Sequence, residues 1–314
     1  MYVARFPSEE RPGWIRPVAA LGNFDGVHRG HQRILEHVKR QAALTGGTPV
    51  VVTFEPHPPR VVRPDKAPPL LMTLAQKLQA FDRAGVQHVA VTEFNKEMAR
   101  WEPERFVDAV LVEWLGVSEV CVGANFLFGR DRTGTFTLLK ALGQDRGFRV
   151  DCIDPVRYKD FVVSSTRVRH LVTEGRVDEA AALLGHLYCL DGLVVHGDKR
   201  GRELGFPTAN LQPVNELLPA HGIYATIATV NGVPYQSVTS IGVRPTITEG
   251  ASAGKVIVET YLLDLSIDLY GQNVRLGFVE WLRPEEKFDT LEALTAQIAR
   301  DCDAGRRAFV RAGL

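Results

Sequence analysis

The 314-residue sequence lacks the features that mark membrane proteins, secreted proteins and nucleic-acid-binding proteins. No apolar run approaches the ~18 residues of a membrane-spanning helix. The N-terminal stretch MYVARFPSEERPGW has acids and prolines where a signal peptide is apolar. The 37 basic and 37 acidic residues cancel, which removes any general attraction to nucleic acid or to an anionic membrane surface. We therefore expect a cytoplasmic protein with no membrane or nucleic-acid partner, and with any anion site formed locally.

Cysteine is also scarce, and the nucleotide-binding loops with the best-known patterns are missing. The four cysteines, Cys121, Cys152, Cys189 and Cys302, are far apart and form no C-x-x-C pair. Their spacing indicates neither a zinc site nor a redox dithiol, and we expect ordinary thiols in a reducing compartment. The sequence contains no G-x-x-x-x-G-K-[ST] loop, so a nucleotide site would have to be of another kind.

The first half of the chain alternates between patterns typical of strands and of helices. Short apolar runs predict strands at 17–21, 49–54, 88–94 and 119–126, and helical stripes lie between them, as in HQRILEHVKRQAAL (31–44). This β-α-β-α order predicts a parallel sheet covered by helices. In such sheets, ligands bind beyond the carboxyl ends of the strands.

Beyond two more helical patterns, the sequence changes character near residue 185. Five strand-like segments follow, with a hairpin signal at Asn231-Gly232, and a helical period returns only at 290–310. Several short antiparallel strands with a terminal helix predict a small β-barrel. We therefore expect two domains, residues 1–185 and 186–314.

The stretch GNFDGVHRGH (22–31) joins the first predicted strand of that sheet to its helix. A helix N-terminus with small residues presents free N–H groups to an anion, and His28 and His31 can face the same anion across Gly30. Two histidines near phosphates would stabilise charge during attack at phosphorus. A zinc site would need a third ligand, which no nearby cysteine or carboxylate cluster clearly offers.

The extended string resembles the HIGH-type motif of the α/β nucleotidyltransferases, and its longer form resembles the bacterial bifunctional riboflavin kinase/FAD synthetases. The likeness continues in TFEPHP (53–58), VGANFLFGRDRTG (122–134) and VSSTRVR (163–169). It implies a Rossmann-like N-terminal domain that transfers AMP from ATP to FMN, giving FAD and pyrophosphate. His28 and His31 would hold the α- and β-phosphates. The remaining nucleotide-site or acceptor-site residues implied for this domain are Gly22, Asn23, Phe24, Asp25, Asn125, Ser164, Ser165, Thr166 and Arg169.

The second specific string is GDKRGRELGFPTANL (197–211). Gly201 and Gly205 permit a tight backbone path whose N–H groups can converge on phosphate. Thr208 and Asn210 offer hard oxygen ligands suited to Mg²⁺. GFPTAN resembles the P-T-A-N motif of riboflavin kinases, which implies that Phe206 and Pro207 belong to the site and that Thr208 and Asn210 bind the Mg²⁺ of MgATP.

Glu259, in VIVETYLLDL, matches the glutamate of the family's E-T-H motif. The resemblance implies that Glu259 is the base for the ribityl hydroxyl of riboflavin, so that flavin is substrate and product rather than a redox cofactor. The chain departs from the family pattern in four places: Tyr261 replaces a histidine, Ser240 an asparagine and Thr135 an aspartate, while GHLY (185–188) replaces GRPY. These departures affect contacts with the flavin more than the class of reaction.

Three functions follow from these observations. The first is a two-step enzyme that converts riboflavin to FMN and FMN to FAD, with riboflavin, FMN, FAD and ATP as its small-molecule partners. The second keeps the kinase but gives the N-terminal domain another adenylyl acceptor, against which TFEPHP and NFLFG argue. The third is a flavin-sensing or flavin-carrying protein without catalysis, which would require the loss of His28, His31 or Glu259. The sequence gives no indication of oligomeric state.

Overall fold

The computed structural model of the chain describes residues 1–197, 205–243, 256–265 and 267–314, in two units, Met1–Ser164 and Ser165–Leu314. The first unit is built on a six-stranded sheet in which every pair of neighbours is parallel. In chain order its strands are β1 (Tyr2–Phe6), β2 (Val18–Leu21), β3 (Pro49–Glu55), β4 (His88–Glu93), β5 (Glu119–Gly123) and β6 (Arg149–Ile153). A two-stranded hairpin, β7 (Arg157–Tyr158) and β8 (Phe161–Val162), follows.

Helices cover both faces of this sheet. They are α1 (Arg29–Thr45), α2 (Pro58–Val62), α3 (Leu74–Arg83), α4 (Pro103–Phe106), which continues as a π-helix over Val107–Leu115, and α5 (Phe136–Arg146). Short 3-10 turns lie at Pro64–Lys66, Met98–Arg100 and Arg130–Arg132. Along β2 the side chains alternate: Val18 and Ala20 pack under α1, while Ala19 and Leu21 pack with the π-helix. Burial on both faces explains why these strands are continuous apolar runs in the sequence.

The strand order β1-β4-β3-β2-β5-β6 reverses direction at β2. The chain leaves β2 through α1 to reach β3 on one side, and it later places β5 on the other side. A crevice opens at the carboxyl edge of a parallel sheet where the order reverses in this way. The residues that follow β2 and β5 therefore lie where a ligand is expected.

The second unit contains a closed antiparallel barrel with strand order β10-β13-β12-β11-β14-β9, in which β9 also pairs with β10. Its strands are β9 (Tyr188–Val195), β10 (Thr208–Pro213), β11 (Gly222–Val230), β12 (Val233–Val243), β13 (Val256–Leu262) and β14 (Asn273–Arg283). The described residues of this unit also form the helices α6 (Ser165–Thr173), α7 (Val177–Leu184) and α8, which is the terminal helix Leu291–Ala312. None of the helices in the described ranges has the length and apolar composition needed to cross a membrane.

Helix α8 packs against the outside of the barrel. Phe309 and Cys302 of α8 are buried with Val238 and Val279 of the barrel wall. Arg283 at the end of β14 holds Asp301 of α8 through two hydrogen bonds, from Nε at 2.8 Å and from Nη2 at 2.7 Å. Arg283 therefore anchors the terminal helix.

A line of hydroxyl groups runs through the buried side of the barrel. Thr226 Oγ1 lies 2.8 Å from Ser237 Oγ and 2.6 Å from Thr239 Oγ1, and Thr239 Oγ1 donates to Thr260 Oγ1 at 2.9 Å. All four side chains are buried. Each hydroxyl finds a partner in its neighbour, which is the condition for placing polar groups in a core.

The predicted fold class, a parallel α/β sheet followed by an antiparallel barrel with a terminal helix, is confirmed. The strands β1, β6, β7, β8 and β10 were not predicted from the sequence. The segment 103–116, whose apolar spacing after Pro103 predicts one helix, begins as α4 and continues as a π-helix over Val107–Leu115. The predicted domain boundary at 185/186 stays a prediction. Along the chain, the first unit ends at Ser164 and the second begins at Ser165.

Candidate active sites

The turn between β2 and α1 takes its shape from residues with left-handed backbone conformations. Phe24, Gly26 and Val27 have φ values of 53°, 86° and 37°. The backbone turns back on itself, so the Phe24 ring lies over Gly22, where a Cβ would stand 3.3 Å from that ring. The G-x-F-D-G part of the motif is therefore a folded platform at the carboxyl end of the central strand.

His28 and His31 meet at the start of α1. His28 is the N-cap residue of the helix, and its Nδ1 accepts a hydrogen bond from the backbone N–H of His31 at 3.3 Å. The two rings stack, with centroids 3.6 Å apart and planes 14° apart. A Cβ on Gly30 would lie 3.2 Å from the His28 ring. The glycine of H-x-G-H thus makes room for the first imidazole to fold back over the helix start.

This geometry indicates the protonation of the pair. Because Nδ1 of His28 accepts a hydrogen bond, it carries a lone pair, and the proton of the neutral ring is on Nε2. Burial, followed by the nearby His28 and Lys77, lowers the pKa of His31 well below its usual range. A neutral His31 and the Nε2–H of His28 can each donate a hydrogen bond to a phosphate oxygen.

Asp25 anchors the turn from beneath. Both of its carboxylate oxygens accept from the backbone N–H of Leu71 at 3.1 Å, and one also accepts from that of Met72 at 3.2 Å. The side chain is 2% exposed. These contacts give Asp25 a positioning role, and a direct contact between Asp25 and a nucleotide stays a prediction.

A buried lysine that the sequence analysis did not single out lies under the same turn. Lys77 of α3 is 3% exposed, and its Nζ donates to Thr53 Oγ1 at 3.4 Å. Thr53 in turn donates to the carbonyl oxygen of Asn23 at 3.2 Å. Burial lowers the pKa of Lys77, and the carboxylates of Asp25 and Glu55 oppose that shift. A helical-spacing test could have found this residue, because Lys77 lies on the same stripe as the apolar Leu74 and Phe81.

The other predicted residues of the first unit lie along the same sheet edge. Phe24 is buried, and its ring packs edge-on against His31 at 5.1 Å and Phe81 at 5.6 Å, so it supports His31 from the core. Asn23 and Asn125 are exposed after the ends of β2 and β5, which are neighbouring strands. The sheet thus brings Asn23, His28, His31 and Asn125 to one edge.

The S-S-T block lies where the two units meet in the sequence. Ser164 is the last residue of the first unit, and α6 begins at Ser165, with Thr166 in its first turn. Arg169 of α6 is buried. Ser164 thus precedes α6, Ser165 and Thr166 open it, and the joint action of these residues and Arg169 with the histidine pair stays a prediction.

In the second unit, the barrel register brings the kinase-type residues together. Thr208 and Asn210 are two apart on β10 and so share one face of the strand. Across the antiparallel pair, Asn210 is the direct partner of Glu259, and Thr208 is the partner of Tyr261. Opposite residues in such pairs have Cβ atoms about 5 Å apart, so the amide and the carboxylate are neighbours.

Two glycines frame this face. A Cβ on Gly197 would stand 2.1 Å from the Asn210 side-chain nitrogen, so only glycine leaves that amide its place. Gly205 has a φ of 82°, in the left-handed region that favours glycine, and Phe206 packs edge-on against Tyr261 at 5.4 Å. Pro207 and Thr208 follow directly. The predicted phosphate-loop residue Gly201 lies outside the described residues.

A cavity with both polar and apolar surface opens beside Thr208. Its lining residues are Val194, Pro207, Thr208, Ala209, Thr260, Leu262, Leu265, Ile267, Asp268, Leu269 and Tyr270. Asn210 and Glu259 are not among them. Thr208 therefore adjoins both the Glu259 face and this cavity.

Three residues that depart from the family pattern, Thr135, Ser240 and Tyr261, lie in regular structure. Thr135 is the N-cap of α5, and its hydroxyl accepts from the N–H of Leu138 at 3.3 Å, a task that aspartate performs equally well. Ser240 of β12 is the partner of Glu259 on the side of β13 away from Asn210. Ser240 and Tyr261 are thus immediate neighbours of the predicted base.

Comparison with known proteins assigns each unit to a separate match. Residues 12–167 match the family model described as FAD synthetase, and residues 184–309 match the one described as riboflavin kinase. Bifunctional riboflavin kinase/FMN adenylyltransferases from Pseudomonas fluorescens, Escherichia coli K12 and Bacillus subtilis 168 are 40%, 36% and 36% identical to the chain. These matches cover 94%, 93% and 94% of the chain and 94%, 92% and 93% of the relatives. A crystal structure described as a macrolide-efflux protein from Streptococcus pneumoniae is 26% identical, with a TM-score of 0.86 over 98% of this chain and 99% of that one.

Proposed function

The chain belongs to the family of bifunctional riboflavin kinase/FMN adenylyltransferases, and we propose that it converts riboflavin to FMN in the second unit and FMN to FAD in the first. The observation that carries the proposal is that one chain has two separate sets of phosphate-directed groups. One set is the stacked His28–His31 pair at the point where the sheet order reverses. The other is the face of the barrel with Thr208, Asn210 and Glu259. The efflux described for the Streptococcus pneumoniae protein finds no support in either set.

In the adenylylation, a phosphate oxygen of FMN attacks the α-phosphorus of ATP, the bond to the β-phosphate oxygen breaks, and pyrophosphate leaves. Negative charge grows on the α-phosphate oxygens and on the leaving group. N–H groups of His28 and His31 donate hydrogen bonds to those oxygens, which stabilises the charge in a partly buried site. Positioning and electrostatics suffice, so no covalent enzyme intermediate is needed.

The other predicted residues hold the ends of the substrates. Ser164, Ser165, Thr166 and Arg169 bind the outer phosphates of ATP with hydroxyls, helix N–H groups and a guanidinium. Asn23 and Asn125 provide amide hydrogen bonds at the sheet edge, to a phosphate and to the FMN acceptor respectively. Asp25 and Lys77 hold the turn that carries the histidines.

In the kinase reaction, the primary hydroxyl of the ribityl chain attacks the γ-phosphorus of ATP, and ADP leaves. Glu259 accepts the hydroxyl proton as the new O–P bond forms. The position of Glu259 opposite Asn210 supports this role, because the base must lie next to the groups that place the phosphate.

Enzymes of these two classes use ATP with a divalent metal, and the donor set on the barrel face suits Mg²⁺. A hydroxyl oxygen, an amide oxygen and a carboxylate lie on adjoining strands, and all are hard oxygen donors. Thr208 and Asn210 would hold the ion, which when bound screens the charge of the ATP phosphates. The cavity beside Thr208 takes the ring of one of the two substrates.

The catalytic boundary at 185/186 is also part of the proposal. The kinase residues all follow residue 186, whereas α6 and α7 lie largely between the two family matches. Helix α7 packs on β9 and β14, so it stabilises the barrel without supplying any proposed site residue. Fragments 186–314 and 165–314 should both phosphorylate riboflavin, and the longer one should unfold at a higher urea concentration. A folded but inactive 186–314 fragment would show that the kinase site needs residues before 186.

The function is tested by incubating the purified chain with riboflavin and MgATP and separating the flavins by chromatography. FMN followed by FAD is the expected result. FMN alone would mean that the first unit has another adenylyl acceptor, and unchanged riboflavin would indicate a flavin-binding protein without catalysis. Cell fractionation tests the cytoplasmic location that we propose for the chain.

A further inference from the structure

Four side chains with metal-binding groups meet on the face of the first unit's sheet that α1 covers. His37 comes from α1, Glu119 and Cys121 from β5, and Asp151 from β6. One ligand atom from each lies within 4.8 Å of all the others. None of these residues has a role in the two proposed reactions.

The fold explains why these residues converge. Glu119 and Cys121 are two apart on β5 and therefore point to the same face of the sheet. Cys121 is the register partner of Asp151 on the parallel strand β6. His37 lies on the sheet-facing side of α1, next to the buried Val38. Three elements separated in sequence thus supply one cluster.

The distances fit a small tetrahedral ion. His37 Nε2 is 3.0 Å from Asp151 Oδ2 and 3.9 Å from Glu119 Oε1, and Cys121 Sγ is 3.7 Å from that same Glu119 oxygen. Around a tetrahedral zinc ion with metal–ligand bonds of 2.0–2.3 Å, ligand atoms are about 3.3–3.8 Å apart. Small side-chain adjustments would bring these atoms into such a shell.

The burial and the charge of the cluster also favour the binding of a cation. Glu119 and Cys121 are 1% and 0% exposed. The other carboxylate oxygen of Glu119 is held by Arg149, which leaves Oε1 directed at the cluster. With a neutral His37 and a protonated thiol, the two carboxylates and Arg149 leave one net negative charge. A divalent cation that displaces the thiol proton to solvent makes the buried group neutral.

We propose that His37, Glu119, Cys121 and Asp151 form a binding site for one zinc ion. The combination of imidazole, thiolate and carboxylate selects zinc over Mg²⁺, which prefers oxygen ligands. The side chains of His37 and Asp151 are 19% and 44% exposed, so the ion has a path from solvent. The ion would join α1, the helix that carries His31, to β5 and β6. The four ligands are far apart in the sequence and include one cysteine, so no C-x-x-C spacing marks this site.

The test uses the full chain, stripped with a chelator, passed through a desalting column and titrated with Co²⁺ as a probe for zinc. We expect the visible bands of tetrahedral Co²⁺ and a near-ultraviolet thiolate-to-cobalt charge-transfer band, saturating at one ion per chain. Zinc should abolish both by displacement. Cys121→Ser should lose the charge-transfer band. The matched control Cys152→Ser changes an exposed cysteine next to Asp151 that lies outside the cluster, and it should retain the band.

His37→Gln, a change at a partly exposed position, should weaken Co²⁺ binding at least tenfold while far-ultraviolet circular dichroism shows a folded chain. A wild-type chain without the charge-transfer band would overturn the proposal. The cluster would then consist only of the His37–Asp151 contact and the Arg149–Glu119 ion pair. A band that survives Cys121→Ser, or that disappears in Cys152→Ser, would also overturn it. The result does not depend on either flavin reaction.

Discussion

Asn210 and Glu259 are direct partners across the antiparallel pair of β10 and β13. Asn210, which we assign to the metal ion, and Glu259, which we assign to the hydroxyl proton, therefore lie on a rigid sheet rather than on separate loops. In a barrel without free edges, this register cannot slip without moving every other pair. The kinase reaction thus has its metal ligands and its base at a fixed spacing.

Glu259→Gln should lower kcat for FMN formation by about 10²–10⁴-fold, because glutamine keeps the shape of the side chain but cannot take the hydroxyl proton. The KM for MgATP should change little, since Thr208 and Asn210 are intact. Glu280→Gln, at a glutamate of β14 that pairs with Arg311, is the control and should leave FMN formation unchanged. Rates of FMN and FAD formation, measured on the same purified protein, test whether Glu259 is the base of the kinase reaction. Equal losses of both would indicate misfolding, and unimpaired phosphorylation would give Glu259 a structural role.

Two substitutions of His28 separate helix capping from phosphate binding. His28→Asn retains a side chain that caps helices well, whereas His28→Ala removes both the cap and the imidazole. Both should lower FAD formation by about 10²–10³-fold, as expected for the loss of a transition-state hydrogen-bond donor. Only the alanine variant should also lose about 1 kcal/mol of stability in urea unfolding. FMN formation is the internal control, and a His28→Asn variant with wild-type FAD formation would refute the assignment.

Lys77→Met should reduce FAD formation roughly tenfold or more, because it removes a buried charged donor from the Thr53–Asn23 chain under the turn. It should also move the acid limb of the pH–rate profile to higher pH. Lys77 is one of the causes that lower the pKa of His31, so without it His31 takes up a proton at a higher pH as the solution is acidified. Burial and His28 remain, and they keep the pKa of His31 below its usual range.

The control for Lys77 is Lys140→Met, at an exposed lysine of α5, for which we expect neither change. A reduced rate with an unshifted pH profile would mean that Lys77 only supports the fold. A wild-type rate and profile would remove Lys77 from the adenylyl site altogether.

Asp301→Ala should destabilise the second unit by about 3–5 kcal/mol, because it leaves the guanidinium of Arg283 largely buried without its bidentate partner. Glu280→Ala breaks another ion pair between β14 and α8, the exposed one with Arg311 at 2.6 Å, and should remove less than about 1 kcal/mol. Urea unfolding followed by circular dichroism compares the two. Similar losses in both variants would contradict the role given to burial.

The sequence predicted most of the elements because buried strands and amphipathic helices have periods that are visible in one dimension. The apolar run GIYATIATV, for example, forms strand β11 at Gly222–Val230. Strand β10 was missed because the P-T-A-N stretch looks like a loop with a short polar motif, and its membership in the barrel depends on partners in β9 and β13. A π-helix was equally unforeseeable, since its apolar residues keep a nearly helical spacing.

For the sites, the sequence indicated which residues matter but not how they are arranged. The resemblance named His28, His31 and Glu259. It could not show that His28 caps the helix through Nδ1 or that Gly30 clears the space for its ring, because both depend on the three-dimensional turn. Lys77 and the cluster around Cys121 escaped because their partners come from distant segments, and spacing rules describe only neighbours in the chain.

The hydroxyl line in the barrel has a consequence for how related chains can vary. Replacing Thr226 alone with valine removes one hydrogen-bond partner from Ser237, which still donates to the Thr226 carbonyl, and one from Thr239, which still donates to Thr260. That loss is unfavourable in a core, whereas replacing all the members with apolar residues of similar size can be nearly neutral. Substitution at Thr226, Ser237, Thr239 and Thr260 is therefore expected to be concerted. Homologous barrels should carry either the whole set of hydroxyls or a wholly apolar replacement, and intermediates should be rare among surviving sequences.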